Sequence, residues 1–319
     1  MITVSRILCP VDLSHDSAVA LRYALTLART FDAKLFLCHC AGNPSAALNS
    51  VHAHDDEQTR RMFSDMIVEH LGYDDLARVD WEGIIVGGDD PAEAITREAA
   101  ARGVDLIVMR SRRRPMAAAL LGSTAETVCR TAPCPVLVTH PREREWVGRT
   151  TGEINLRRVL VAYDFSDDAE LALRHALSLT EQCQVQLHLL HVLPKPPQDD
   201  APEIAWLPAS REGAYREAAS RLQKAVPRET YLRCDVKISV RWGKPYRETL
   251  TYAAEQEIDL VCMGARGAGF GMGTLFGSNA DRVLRQSPCP VLVARPLKPS
   301  DAHASVAAAT RVELESGGP

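Results

Sequence analysis

The chain has 319 residues, 46% of them hydrophobic and only 5% aromatic, and a net charge of −4. That length suits two domains and that composition an aliphatic, alanine-rich α/β core, while the slightly acidic balance excludes a general attraction to nucleic acid or anionic membranes. Nine cysteines, an odd number spread through apolar segments, read as small buried residues of a reducing compartment rather than a disulfide framework.

Met1 to Ser14 lacks the charged-then-apolar form of a secretion signal, and no apolar run nears the roughly 20 residues that a membrane span needs. A cytoplasmic location is therefore expected. The first predicted strand covers residues 5 to 11 and runs into Asp12-Leu13-Ser14. A helical stretch follows, in which Leu21, Ala24, Leu25 and Ala28 recur at three and four. Further strands are expected near 34 to 40, 82 to 87, 104 to 109 and 135 to 139, each separated from the next by helical sequence. Their apolar runs are continuous rather than alternating, the pattern of a parallel sheet covered on both faces with right-handed crossovers. The last strand starts after Pro133-Cys134-Pro135, where proline fits an edge. Two such edges in one chain invite pairing with each other. Pro141 to Glu153, polar and arginine-rich, reads as a linker.

Beyond the linker the pattern returns. Arg6 to Ser14 reappears as Arg158 to Ser166, and His39 of the second strand reappears as His191, both at an offset of 152. Val104-Asp105-Leu106 matches Ile258-Asp259-Leu260, and Pro133-Cys134-Pro135 matches Pro288-Cys289-Pro290. Offsets this steady mean duplication. The tail from Pro299 has no apolar period and reads as disordered.

The stretch most suggestive of chemistry lies in the second copy. After the apolar Leu260-Val261-Cys262-Met263 comes GARGAGFGMGTLFGS, Gly264 to Ser278, and then a run with helical spacing of Ala280, Val283 and Leu284. Glycines between a strand and a helix let the backbone take φ > 0 and approach a ligand, so that several N–H groups converge on oxygen anions. The helix start adds unpaired donors, with Ser278 expected as both cap and phosphate ligand. A loose loop is the competing interpretation.

These residues resemble a known family. Two strands ending on Asp-x-Ser, a second strand ending on His-Val or its like, and above all Gly264-x2-Gly267-x9-Gly277-Ser278 are similar to a tandem universal stress protein over residues 3 to 296. The resemblance implies two five-stranded parallel open α/β sheets of the adenine-nucleotide alpha hydrolase-like type, packed as a pseudo-dimer. Residues 1–145 would form a domain with a degenerate phosphate loop, 153–298 one with an intact ATP-binding motif, and 299–319 a disordered tail. It also implies ATP, with Mg2+ on its phosphates. Gly264, Gly267, Gly277 and Ser278 would meet the phosphates, with Asn279 beside them. Ala162, Tyr163 and Asp164 would flank the nucleoside, Val192 would meet the base, and Met263 would close the floor. Arg266 either neutralises phosphate charge or is solvated, and Asp164 is read equally well as a helix cap or turn residue.

The first copy departs from the motif. Aligned on Met109 and Met263, Arg110 stands for Gly264 and Arg113 for Gly267. Arginine resists left-handed backbone at a cost of about 1–2 kcal/mol, and its side chain would fill the phosphate space, so this copy is not expected to bind ATP in the family's manner. Arg110, Arg112, Arg113 and Arg114 read first as a solvated basic loop and second as a different anion site.

Other candidates weaken. Cys38 and Cys40 share one strand face while His39 points to the other, which suits core better than zinc. His52 and His54 with Asp55 and Asp56 read as a solvated loop, and His188 and His191 as core histidines. Ser14 and Ser166 read as helix caps rather than nucleophiles. Two function classes remain. One is a nucleotide-dependent stress-response regulator, with an adenine nucleotide as partner, a protein partner and a further homodimer left open, and no nucleic acid or membrane. The other is an ATP-hydrolysing or phosphoryl- or nucleotidyl-transferring enzyme using the same pocket, for which a base, a second carboxylate and a Walker lysine are missing. No catalytic residue and no metal ligand is assigned.

Overall fold

The computed structural model describes residues 3–12, 14, 17–41, 56–71, 79–111, 122–140, 143–148, 153–183, 185–194, 208–267 and 276–295. Chain contacts divide it into two compact units, one holding Val4–Arg110 and Ser123–Val136, the other Leu137–Ala294.

The first copy runs β1 (Arg6–Pro10), α1 (Ser17–Phe31), β2 (Lys34–Ala41), α2 (Asp56–Leu71), β3 (Trp81–Gly87), α3 (Pro91–Ala101), β4 (Leu106–Arg110), α4 (Ser123–Thr131) and β5 (Val136–Thr139). Its strands lie in the order β3-β2-β1-β4. All three pairings are parallel, with Leu35 opposite Trp81, Arg6 opposite Lys34 and Ile7 opposite Leu106. The Ile107 N–H donates to the Pro135 carbonyl at 3.0 Å, which brings the approach to β5 beside β4. Ile7, Leu8, Cys9, Leu35 and Leu37 are wholly buried, so both faces are covered as the continuous apolar runs require.

The second copy repeats the plan with β6 (Arg158–Ala162), α5 (Asp167–Cys183), β7 (Gln186–Leu193), α6 (Pro208–Ala225), α7 (Arg228–Arg233), β8 (Val236–Trp242), α8 (Pro245–Glu255), β9 (Leu260–Gly264), α9 (Ser278–Gln286) and β10 (Val291–Ala294). The strand order is β10-β9-β6-β7-β8, again parallel throughout. Ends β6 and β9 are in register at Ala162 and Met263.

The duplicated aspartates explain themselves. Asp105 Oδ2 accepts the N–H groups of Ser5 and Arg6 at 2.8 and 2.9 Å, and Asp259 Oδ2 those of Arg157 and Arg158, both at 2.9 Å. Each carboxylate thus satisfies two backbone donors where the first strand of its copy begins.

The predicted linker is a packed strap in its described part. Trp146 and Val147 are buried, Val147 bridges Ile154 in antiparallel fashion, and the Asn155 N–H donates to the Trp146 carbonyl at 2.7 Å. One tryptophan outweighs the surrounding charges because so large an apolar surface is costly to leave in water. The predicted tail from Pro299 lies outside the described residues, as do Arg112, Arg113 and Arg114, the pair His52 and His54, Asp55, and residues 268–275 of the glycine-rich stretch.

Candidate functional site

In the second copy, the C-terminal ends of β6, β7 and β9 and the first turns of α8 and α9 enclose an open hollow of about 620 Å3, solvent mouth included. This is where an open parallel sheet keeps its crevice. Ala162, Tyr163 and Asp164 line it from β6, Val192 from β7, and Met263, Gly264, Arg266 and Gly267 from β9 and the turn beyond, while Gly277 and Asn279 close it at the start of α9. Ten of the predicted site residues therefore meet around one space; Ser278 is absent from that lining.

The turn after β6 is held from within. Asp164 Oδ1 accepts the Ser166 N–H at 3.1 Å and the Ser166 hydroxyl at 2.6 Å, and Ser166 Oγ accepts the Ala169 N–H at 3.2 Å. Ser166 is thus the helix cap, and Asp164 the residue that orients it. Between them Phe165 takes φ 65°, a strained value for a bulky side chain. Its ring is held against His191 at 4.6 Å and beneath the Arg221 guanidinium at 3.7 Å. The His191 Nδ1–H donates to the Tyr163 carbonyl at 2.8 Å, and burial pushes the imidazole pKa down. His191 serves the turn and does not line the hollow. His188 is a satisfied core residue, bonded to the Tyr252 hydroxyl at 2.9 Å and to Gln186 at 2.7 Å. The Tyr163 hydroxyl donates to Glu170 at 2.5 Å, and burial followed by that bond raises its pKa.

The two leading glycines are needed for closeness. A Cβ on Gly264 would lie 2.7 Å from Asp168 Cβ and 2.9 Å from the Ala169 nitrogen; one on Gly267 would lie 2.6 Å from Asp164 Oδ2. Among the described glycines only Gly88 and Gly103 have positive φ. The expectation that these loop glycines supply left-handed backbone is corrected: Gly264 is pressed onto the start of α5, and Gly267 onto the Asp164 carboxylate in the turn after β6.

Arg266 is part-exposed and tied to an acid. Its Nε and Nη2 fork onto the Asp168 carboxylate at 3.1 and 3.0 Å, and its own N–H donates to Asp168 Oδ2 at 3.0 Å. Asp168 is buried, and its hydrogen bonds hold the Arg266 guanidinium pKa up. The loop is also closed at its base, where the Gly277 N–H donates to the Ala265 carbonyl at 2.8 Å.

The expected cap at Ser278 is also corrected. Gly277 is the N-cap residue of α9 and no side chain among the described residues caps the helix; Ser278 is the first helical residue, with an exposed side chain. The first turn consequently offers backbone donors and the positive end of the helix dipole without an internal acceptor from its cap. Asp281, the acid of that turn, is neutralised by Arg285, whose Nη2 lies 2.7 Å away.

Sequence reasoning missed the wall formed by Pro245, Tyr246 and Thr249 of α8. Tyr246 lies under the Arg282 guanidinium at 4.5 Å and accepts from Arg247 Nε at 2.9 Å, a bond that lowers its pKa. A signal was there: Pro91 and Pro245 open the helix after the third strand of each copy.

The first copy is built differently at the same place. Arg110 ends β4 where Gly264 ends β9; it is half-buried, has no left-handed backbone, and its Nη1 is enclosed without a hydrogen-bond partner among the described residues. Asp12 Oδ1 accepts the Ser14 N–H at 3.1 Å, as Asp164 does from Ser166, but it also takes the Ser17 hydroxyl, at a position where α5 has Ala169. Among the described residues no group of three or more His, Cys, Asp or Glu side chains is placed to hold a metal.

The sequence profile described as "Universal stress protein family" matches residues 3–140 and again 155–295. The chain belongs to the universal stress protein family. It is 26% identical over 306 residues to a universal stress protein of Mycolicibacterium smegmatis, covering 91% of this chain and 97% of that one. With a universal stress protein of Mycobacterium tuberculosis it shares 31% identity over 176 residues, 55% of this chain and only 56% of that relative. Among solved structures, a universal stress protein from Archaeoglobus fulgidus superposes with a TM-score of 0.63 at 22% identity, covering 92% of this chain and 99% of the other. A functionally unknown protein from Pseudomonas aeruginosa gives 0.66 at 21% identity, covering 96% and 98%. At such identity these two similarities speak to the duplicated α/β fold. No helix among the described residues is long and apolar enough to cross a membrane.

Proposed function

We propose that this universal stress protein binds ATP in its second domain, residues 153–298, and acts as a nucleotide-dependent regulator of a stress response, while residues 1–145 form a domain that does not take ATP in this way. The observation that carries the reading is the uncapped start of α9 facing a hollow whose opposite wall is thinned at Gly264 and Gly267 to the point where a Cβ would collide. Such a helix start favours phosphate oxygens.

Each residue has a share in this. Backbone donors of Ser278, Asn279 and Ala280 would meet phosphate. Asp164 would accept from the ribose, and Ala162, Val192 and Met263 would present apolar surface and strand-end backbone to the adenine. Arg266, tied to Asp168, acts as a positioning residue that fixes the first turn of the loop. Among the described residues Asp164 is the one carboxylate in the lining, so Mg2+ would ride on the phosphates and screen their charge. ATP shifts the protein toward one conformation only by its differential affinity for two, and the two turns that meet at Asp164 and Gly267 are the element it would bias.

The test is thermal unfolding with and without ATP and magnesium. At one hundred times its dissociation constant the nucleotide stabilises the native state by about 2.7 kcal/mol. An upward shift, weaker with AMP, supports the reading; no shift at saturation overturns it.

A further inference from the structure

Three exposed cations gather on one residue of the hollow's wall. Lys244 and Arg247 stand at the start of α8 and Arg282 one turn into α9, two helices that pack side by side. Their meeting point is Tyr246, which lines the hollow. The Arg282 guanidinium lies over its ring at 4.5 Å and that of Arg247 at 5.8 Å, while Arg247 Nε donates to the phenol oxygen at 2.9 Å. That bond, and then the charges of Arg247, Arg282 and Lys244, draw the phenol pKa down against the effect of burial, so all three cations act at the same point.

The two arginines are available to a ligand. Arg266 is tied to Asp168, Arg285 to Asp281, and Arg241 to Glu248 and Glu255. Arg247 and Arg282 meet no carboxylate among the described residues, only the Tyr246 ring and its hydroxyl. A guanidinium laid over an aromatic ring is held more weakly than one forked onto an acid, and its in-plane donors stay free. Helical side chains lean toward the N-terminus, so Arg282 is aimed back over the turn of Ser278 and Asn279.

The duplication gives the charges a meaning. Asp90, Glu93 and Thr127 of the first copy stand where Lys244, Arg247 and Arg282 stand in the second, counted from Pro91 and Pro245 and from the helices that open at Ser123 and Ser278. Asp90 accepts the Ala92 N–H at 2.8 Å and so caps α3, a task for which Lys244 has no acceptor. The copy that keeps the spaced glycines has a cationic rim, and the copy that lacks them an acidic one. A merely solvated basic face would have no reason to follow the glycines.

We infer that Arg247 and Arg282 are specificity-determining residues that swing from Tyr246 onto the terminal phosphate of a triphosphate chain, with Tyr246 as the positioning residue that holds them ready. The inference rests on the reading of the hollow as an ATP site and adds which groups count the phosphates. Backbone donors at the start of α9 carry no formal charge and serve any phosphate. Guanidinium groups distinguish a triphosphate from a monophosphate, because each further phosphate brings charge and oxygens for their forks to meet.

The experiment titrates the full-length protein with AMP, ATP and inorganic tripolyphosphate, with magnesium present, and reads affinity by calorimetry. In Arg247→Gln/Arg282→Gln the ratio of ATP to AMP affinity should fall about tenfold or more, and tripolyphosphate binding should be lost. Arg216→Gln/Arg228→Gln, which removes the same charge from exposed positions of α6 and α7, should leave the ratio as it was. An unchanged ratio in the first variant, or an equal fall in the second, would overturn the clamp while leaving the ATP site in place. A chain that binds tripolyphosphate through Arg247 and Arg282 but ignores ATP would uphold the clamp and overturn the nucleotide reading. One that binds neither would overturn both.

Discussion

Gly267 and Asp164 sit so close that a Cβ on the glycine would fall 2.6 Å from the carboxylate oxygen Oδ2. The turn after β6 and the turn after β9 are therefore one unit, and the residue expected at the ribose positions the loop expected at the phosphates. Even the smallest side chain at 267 must displace Asp164. Gly267→Ala should weaken ATP binding about tenfold or more, a loss of about 1.4 kcal/mol, read by calorimetric titration. Unchanged affinity would mean that the two turns act separately.

The Arg266–Asp168 pair is asymmetric, because the carboxylate is buried while the guanidinium side chain keeps 30% of its surface. Removing the arginine strands a buried charge, whereas removing the acid leaves an arginine able to reach water. Arg266→Ala should cost about 2 kcal/mol and Asp168→Asn about 1, after discounting for that exposure. Urea unfolding of both variants checks the order, and the reverse order would contradict it.

Two histidines set an acid limit on stability. His175 and His188 are buried, and burial drives both pKa values down to about 4 from 6.5, assisted by Arg174 for the first and by Lys237 and Arg158 for the second. Their folded values are depressed, so the unfolded chain binds more protons between pH 6.5 and 4. The stability they allow is present in full above 6.5 and is lost as pH falls toward 4. At pH 5 the loss should be about 2 kcal/mol for each. Denaturant midpoints at pH 7 and pH 5 would show it, and His175→Leu should flatten the difference by about half.

A comparison of the two copies locates an improvable position. Gly103 and Glu257 follow the helices before β4 and β9 at equivalent places, with φ of 59° and 47°. The first is a glycine that accepts this conformation, and the second is a glutamate that does not. Its ion pair with Arg158, 3.0 Å long, is exposed at 66% on the acid side and returns little. Glu257→Gly should raise stability by about 0.5–1 kcal/mol, and Gly103→Glu should lower it. Thermal melting of the two variants tests the pair of signs.

Much of this was legible in the chain. Continuous apolar runs placed the strands within a residue or two, and the repeats of Asp12 with Asp164 and of Asp105 with Asp259 revealed the duplication before any contact was known. Gly264, Gly267 and Gly277 were found by spacing. Their reason was not, because a clash with Asp168 or Asp164 depends on a helix about one hundred residues away in sequence. The same distance hid the partner of Arg266. Ser278 looked like a cap by residue type, yet Gly277 took that place, since glycine caps nearly as well and leaves the donors open. Trp146 was read as part of a linker because its neighbours are charged, and periodicity gives no weight to one large side chain.

The most direct measurement is the stoichiometry of ATP binding in the presence of magnesium, by calorimetry on the full chain and on Gly267→Arg. One nucleotide per chain, with none left in the variant, is the expected result. Two per chain, or one that survives the substitution, would contradict the assignment of the site to the second copy.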